Sequence, residues 1–232
     1  MSLKILCFGD SNTWGYVPGS WDAELKTCDR FGERLRWPSI LHNLLMRSGI
    51  PCDITEDAVP GRTVDIEHKD NPELNGKASL VRKYLDHLSV FRLIIIVLGV
   101  NDLKSTYHKT GEEIAASLVD LVRLIKSASP TTDVILAFPP KITKEDGFGT
   151  DFDGASLKSD TLRESLLKIE ESGLCNMVKL EYKLNGIDGV HFSIGDNERL
   201  ADSLNTKIQL LLKSSPEVFD GKKTSTFSTE LK

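Results

Sequence analysis

A serine, a histidine and an aspartate can together carry out acyl transfer if the chain folds so as to bring them into line. Ser11 stands in Gly9-Asp10-Ser11-Asn12, directly after a short apolar run. Asp188-Gly189-Val190-His191 sets an acid three residues before an imidazole, close enough on one turn to reach back to it. A serine hydroxyl is a weak nucleophile until a base takes its proton as it attacks. His191 is the candidate base, with Asp188 fixing its tautomer and stabilising the imidazolium. Attack on an ester also needs neutral donors aimed at the developing oxyanion. Ser11 and Gly61 offer backbone N–H groups, and Asn101 offers a side-chain NH2. An aspartate could not replace Asn101 there, because a carboxylate only accepts.

Each fragment is weak by itself. Gly-Asp-Ser-Asn alone is ordinary turn chemistry, and Asn101-Asp102 can simply brace a loop. Asp10 reads as a brace for the Ser11 loop. The remaining histidines, His42, His68, His87 and His108, belong to no motif.

The weight of the set comes from the elements that must position it. Strands are expected at Lys4–Phe8, Cys52–Asp57, Leu93–Leu98, Asp133–Phe138 and Asn176–Leu180. The third is apolar at every position, as in a central parallel strand covered on both faces. Between them lie helical patterns with readable ends. One runs from Pro38 to Arg47 and stops at Gly49, and another carries Leu80, Val81, Tyr84, Leu85 and Leu88. Thr110-Gly-Glu-Glu113 is a capping box opening a helix with Ile114, Leu118, Leu121, Val122 and Ile125 inward. A further helix spans Ser156–Ser172 before Gly173. Ser193-Ile-Gly-Asp196 caps a last one with Leu200, Leu204, Ile208 and Leu211.

Five strands with intervening helices read as a doubly wound α/β fold around a parallel sheet. Ligands of such sheets bind outside the carboxyl ends of the strands. There the chain places Gly9–Asn12, Val59–Arg62, Gly99–Asp102 and Asp188–His191, after the first, second, third and fifth strands. The long irregular connections 18–36 and 139–155 are expected to rim the site.

The 232 residues suit one domain, 1–212, followed by a tail at 213–232 rich in Ser, Thr and Lys, read as mobile. A net charge of -5 gives no pull toward nucleic acid or anionic membrane. No run approaches the roughly 20 apolar residues of a membrane span. Cys7, Cys28, Cys52 and Cys175 form no CxxC pair, and Ile5–Phe8 is too short for a secretory h-region, so a cytoplasmic protein with reduced thiols is expected. Phosphate-loop and zinc readings are weak: GxGxxG, GxxxxGK[ST], HExxH and a Cys/His cluster are all missing from the sequence.

Taken together, Gly9-Asp10-Ser11, Gly61, Gly99-Val100-Asn101-Asp102 and Asp188-Gly189-Val190-His191 resemble the four blocks of the SGNH (GDSL-type) hydrolases, in the family's order. "ILCFGDSNTWGYVPG", "RWPSIL", "LNGKASL" and "IIIVLGVNDLK" look like its bacterial arylesterase/acyltransferase branch, so the resemblance runs from about Leu3 to Leu212. It implies a flavodoxin-like, three-layer α/β/α fold with a five-stranded parallel sheet, and serine hydrolase chemistry without a cofactor. It assigns Ser11 as nucleophile, His191 as base, Asp188 as its orienting acid, and Gly61, Asn101 and the Ser11 amide as oxyanion donors. Members of the branch favour small esters, pass the acyl group to other acceptors, and assemble as homo-oligomers. Position 12 departs from the pattern, Asn standing where the family name expects Leu, which makes Asn12 a candidate substrate contact. Trp14, Val17, Leu103 and Phe192 are candidate apolar walls, each with core packing as the competing role. Deacetylation of small acetylated carbohydrates is the alternative activity, and a non-catalytic binding module the alternative of another class.

Overall fold

The computed structural model describes residues 2–184 and 187–214. The expected tail lies outside the described residues from position 215 onward.

Five parallel strands form one sheet: β1 (Leu3–Gly9), β2 (Cys52–Ala58), β3 (Leu93–Val97), β4 (Asp133–Ala137) and β5 (Asn176–Val178), in the order β2-β1-β3-β4-β5. The alternation of side chains along each strand sorts the core into two layers. Leu6, Phe8, Ile94, Ile96, Val134 and Leu136 point to one face. Ile5, Cys7, Ile95, Val97, Ile135 and Ala137 point to the other. Helices α3 (Gly76–Tyr84), α4 (Gly111–Ala128) and α5 (Ala155–Glu171) cover the first face. Helices α2 (Trp37–Arg47) and α6 (Ile194–Ser214) cover the second. The three-layer α/β/α architecture is therefore as expected.

The helix signals act where they were read. Thr110 accepts from the Glu113 N–H at 3.2 Å while Glu113 accepts from the Thr110 N–H at 2.8 Å, closing the capping box. Ser193 and Asp196 do the same at the start of α6, at 3.1 and 3.0 Å. Most boundaries shift by a single residue, and two elements differ by more. The Leu80–Leu88 stripe divides into α3 and a 3-10 turn, Leu85–Val90, with a break in helical geometry at His87. β5 ends at Val178 rather than Leu180, because it is an edge strand whose only neighbour, β4, pairs with it from Ile135 to Ala137.

Register sets the site. Gly9 pairs with Ala58 on one side and Val97 on the other, so β1, β2 and β3 end level. The segments that follow leave from one edge, around the β1/β3 switch point where the strand order reverses.

Candidate active site

The Ser11 turn is built by close packing. A Cβ on Gly9 would lie 2.0 Å from Thr13 Oγ1 and 2.9 Å from the Val97 carbonyl, so only glycine lets β1 turn there. Asp10 then caps a four-residue helix, α1 (Ser11–Trp14), its carboxyl accepting from the Asn12 N–H at 2.9 Å. The chain reverses at Gly15, φ +94°. Ser11 thus sits at the first position of a helix whose N-terminus faces the sheet edge.

The Asp188–His191 loop meets it. His191 Nε2 lies 2.9 Å from Ser11 Oγ, and His191 Nδ1 lies 3.0 Å from Asp188 Oδ2. The other oxygen of Asp188 accepts from the N–H groups of Val190 and His191, both at 3.0 Å. All three side chains are buried. Burial opposes the charge on Asp188, but the bonds from His191 and Val190 outweigh it and hold the carboxyl below its ordinary value. It therefore stays ionised beside the imidazole.

Gly61 and Asn101 flank the same opening. Asn101 begins a short 3-10 turn, Asn101–Leu103, after β3. One hydrogen of its NH2 goes to the Arg62 carbonyl at 3.0 Å, which leaves the second for an incoming oxygen. Arg62, fully buried, pins the Gly61 loop. It donates to the carbonyls of Gly9 (3.1 Å), Asp57 (2.9 Å) and Glu73 (3.0 Å), pairs with the Asp57 carboxyl at 2.8 Å, and lies 4.4 Å over the Phe8 ring. Burial alone would raise Asp57, but Arg62 and Lys83 overcome it and hold the carboxyl low.

Two further carboxyls are buried beneath the site. Asp10 is pushed up to about 7 by burial, against the Asn12 amide, with the charge of Asp102 adding to the rise. Asp102 is also raised to about 7 by burial, although the Val64 N–H bonds both its oxygens at 3.1 and 3.0 Å. Among the described residues no group of three or more His, Cys, Asp or Glu is placed to hold a metal ion. Burial raises the thiols of Cys7 and Cys52, so both are packing residues rather than nucleophiles.

Ser11 and His191 open onto a cavity of about 410 Å3, walled by Tyr16, Trp21, Pro60, Phe148, Phe152 and Val190, with Lys104 and Asp151 at 3.2 Å from each other on its lining. None of the four expected substrate contacts is among the lining residues. Asn12 is buried, its Oδ1 accepting from the Phe192 N–H at 2.8 Å and its Nδ2 3.4 Å from the Val190 carbonyl. Trp14 packs under Arg30, 4.9 Å away. Leu103 is wholly in the core, and Phe192 stacks on Tyr182 at 4.6 Å. Val17, the fifth candidate wall, is also absent from the lining. Three of the six walls come instead from the irregular connections: Trp21 from 18–36, Phe148 and Phe152 from 139–155. The sequence signal for them was the aromatic residues within those loops. The Glu145–Phe148 turn is pressed onto the acid's loop, where a Cβ on Gly147 would lie 2.1 Å from the Asp188 carbonyl oxygen.

A hydroxyl, an imidazole and a carboxylate in line beside neutral donors can cleave an ester by way of an acyl-serine. Comparison with known proteins agrees. The model of the GDSL-like Lipase/Acylhydrolase family matches residues 7–190 and so stops one residue short of His191. None of the curated proteins matches the chain. Among solved structures, the inhibitor-bound aryl esterase of M. smegmatis is 28% identical with a TM-score of 0.78, over 90% of this chain and 99% of that one. A carbohydrate acetylesterase from Sinorhizobium meliloti is 28% identical with a TM-score of 0.75, over the same shares.

Proposed function

The chain belongs to the GDSL-like lipase/acylhydrolase family and is an esterase, and from that premise we propose that it cleaves small carboxylic esters through an acyl-enzyme at Ser11. In this reading Ser11 Oγ attacks the ester carbonyl carbon while His191 Nε2 takes its proton. The N–H groups of Ser11 and Gly61 and the free N–H of Asn101 receive the oxyanion. The tetrahedral intermediate collapses, and His191 gives its proton to the departing alcohol oxygen. Water, or another alcohol, then attacks the acyl carbon with His191 again as base, releasing acid or a new ester and restoring the serine. Asp188 remains a carboxylate throughout.

The observation that carries the proposal is the unbroken line from Asp188 Oδ2 to Ser11 Oγ, ending at a cavity shared with Gly61 and Asn101. The cavity's size and aromatic walls support a short acyl group on an aryl or alkyl alcohol. Turnover of an aryl acetate with a stoichiometric burst, and a mass increase of the intact protein at Ser11, is the expected result. Ser11→Ala should abolish burst, adduct and turnover together.

A second reading, deacetylation of small acetylated carbohydrates, draws support from the half-exposed Trp21 at the cavity rim and from the acetylesterase neighbour. Relative rates on acetylated xylose and an aryl acetate separate the two. We further propose a cytoplasmic homo-oligomer. The unpaired state of the four cysteines supports the compartment, and the exposure of Trp21 and Leu25 on the rim connection supports a covering copy.

A further inference from the structure

The hydrogen bonds of His191 lie in the plane of its ring and fix where its two nitrogens point. They leave the ring free to pivot about the line from Asp188 to Ser11. That freedom is removed by Tyr16, whose ring stacks on the imidazole with centroids 3.8 Å apart and planes 20° from parallel. Both residues are more than nine-tenths buried. Phe148 meets the same imidazole at 5.5 Å and 71°, and Tyr16 at 6.3 Å.

The origin of Tyr16 strengthens the point. The N–H groups of Gly15 and Tyr16 both donate to the Ser11 carbonyl, at 2.9 and 3.0 Å. The one helical turn that presents the nucleophile therefore also delivers the ring that covers the base. Burial raises the Tyr16 phenol above its ordinary range, so it is neutral where the enzyme works.

Resting on the acyl-enzyme reading above, we infer that Tyr16 is a positioning residue for His191, holding the imidazole in plane and lending its π-face to the imidazolium formed during acyl transfer. A ring face attracts a cation more than a neutral ring, so the stack favours the protonated state that appears in the transition state. The other ionisable groups around His191 are Asp188 on its own loop, Asp10 beside Ser11, and the Lys104–Asp151 pair on the cavity lining.

The test compares Tyr16→Phe, which keeps the face, with Tyr16→Leu, which keeps bulk without it. On an aryl acetate, Tyr16→Leu should lose about tenfold in kcat with KM within about threefold of the parent. Tyr16→Phe, which restores the face, should recover kcat to within about threefold of the parent. In NMR spectra the imidazole protons of His191 should be shifted upfield by the stacked ring in the parent and in Tyr16→Phe. An unchanged kcat in Tyr16→Leu overturns the inference, as does an equal loss in Tyr16→Phe. Should Tyr16→Leu not fold, unshifted His191 protons in the parent overturn it. Failure of the parent itself to label at Ser11 with a fluorophosphonate would instead sink the underlying reading.

Discussion

Asn12 and Phe192, 180 residues apart, are joined by a 2.8 Å hydrogen bond from the Phe192 N–H to the Asn12 side chain. With the contact from Asn12 Nδ2 to the Val190 carbonyl, it clasps the chain on both sides of His191 to the residue after Ser11. The residue off the family's pattern thus holds the His191 loop to the Ser11 turn.

Replacing Asn12 by the pattern's own residue tests that clasp. Asn12→Leu leaves a buried N–H and a carbonyl unpaired, a loss of about 1–3 kcal/mol of stability in urea unfolding. A displaced base should also lower kcat by as much as about 100-fold, with little change in the size of acyl group accepted. A changed acyl preference with unchanged kcat would return Asn12 to the substrate contacts.

Asp188→Asn keeps the shape of the side chain but offers an NH2 where only acceptors fit. The oxygens of Asp188 receive three N–H groups, so the amide must break one bond or turn the imidazole to the wrong tautomer. Steady-state kinetics should show kcat down by about 10^3–10^4 with KM nearly constant.

Asn101→Ala removes one oxyanion donor and leaves the line from Ser11 to Asp188 intact. A fall of about 10^2–10^3 in kcat is expected, and fluorophosphonate labelling should slow in parallel, since that adduct needs the same donors. Normal labelling with lost turnover would place Asn101 outside the oxyanion site.

The raised carboxyl of Asp10 makes stability depend on pH in a direction that can be worked out. Folded, it holds its proton up to about 7, while the unfolded chain releases it near the ordinary value of 3.8. Between those values the native state binds more protons, so stability is full below the unfolded value and falls as pH rises toward 7. Asp10→Asn keeps the cap without the charge. It should unfold at higher temperature than the parent at pH 8, by on the order of 1–4 kcal/mol, with the difference closing by about pH 4.

Arg62→Met strands the Asp57 carboxylate, which is 8% exposed, beside the remaining Lys83. Loss of one partner of a buried pair costs about 3–5 kcal/mol, so the urea midpoint should drop sharply. Because Arg62 also ties Gly9 to the Gly61 loop, labelling of Ser11 should fall even where the variant stays folded.

The sequence told most where a local rule governs. The apolar run from Leu93 read as a strand covered on both faces and Thr110 with Glu113 as a capping box, and both are present. Ser11, Gly61, Asn101, Asp188 and His191 come together because the segments after parallel strands leave from one edge of the sheet, so their order along the chain already constrained their placement. The walls of the cavity escaped for the opposite reason. Trp21, Phe148 and Phe152 lie on connections without a period, placed by distant contacts such as the approach of Gly147 to Asp188. Trp14, Leu103 and Phe192 looked like walls because they neighbour the motifs in sequence, but each turns away, under Arg30, into the core and onto Tyr182.

The reacting atoms stand at strand ends, while most of the aromatic lining is borne on the two long connections. Exchange of 18–36 between relatives is expected to remodel the chamber, whereas exchange of 139–155 also touches the His191 ring through Phe148. The limit on such grafting is Gly147, which any transplanted segment must match so that the chain can still lie against Asp188.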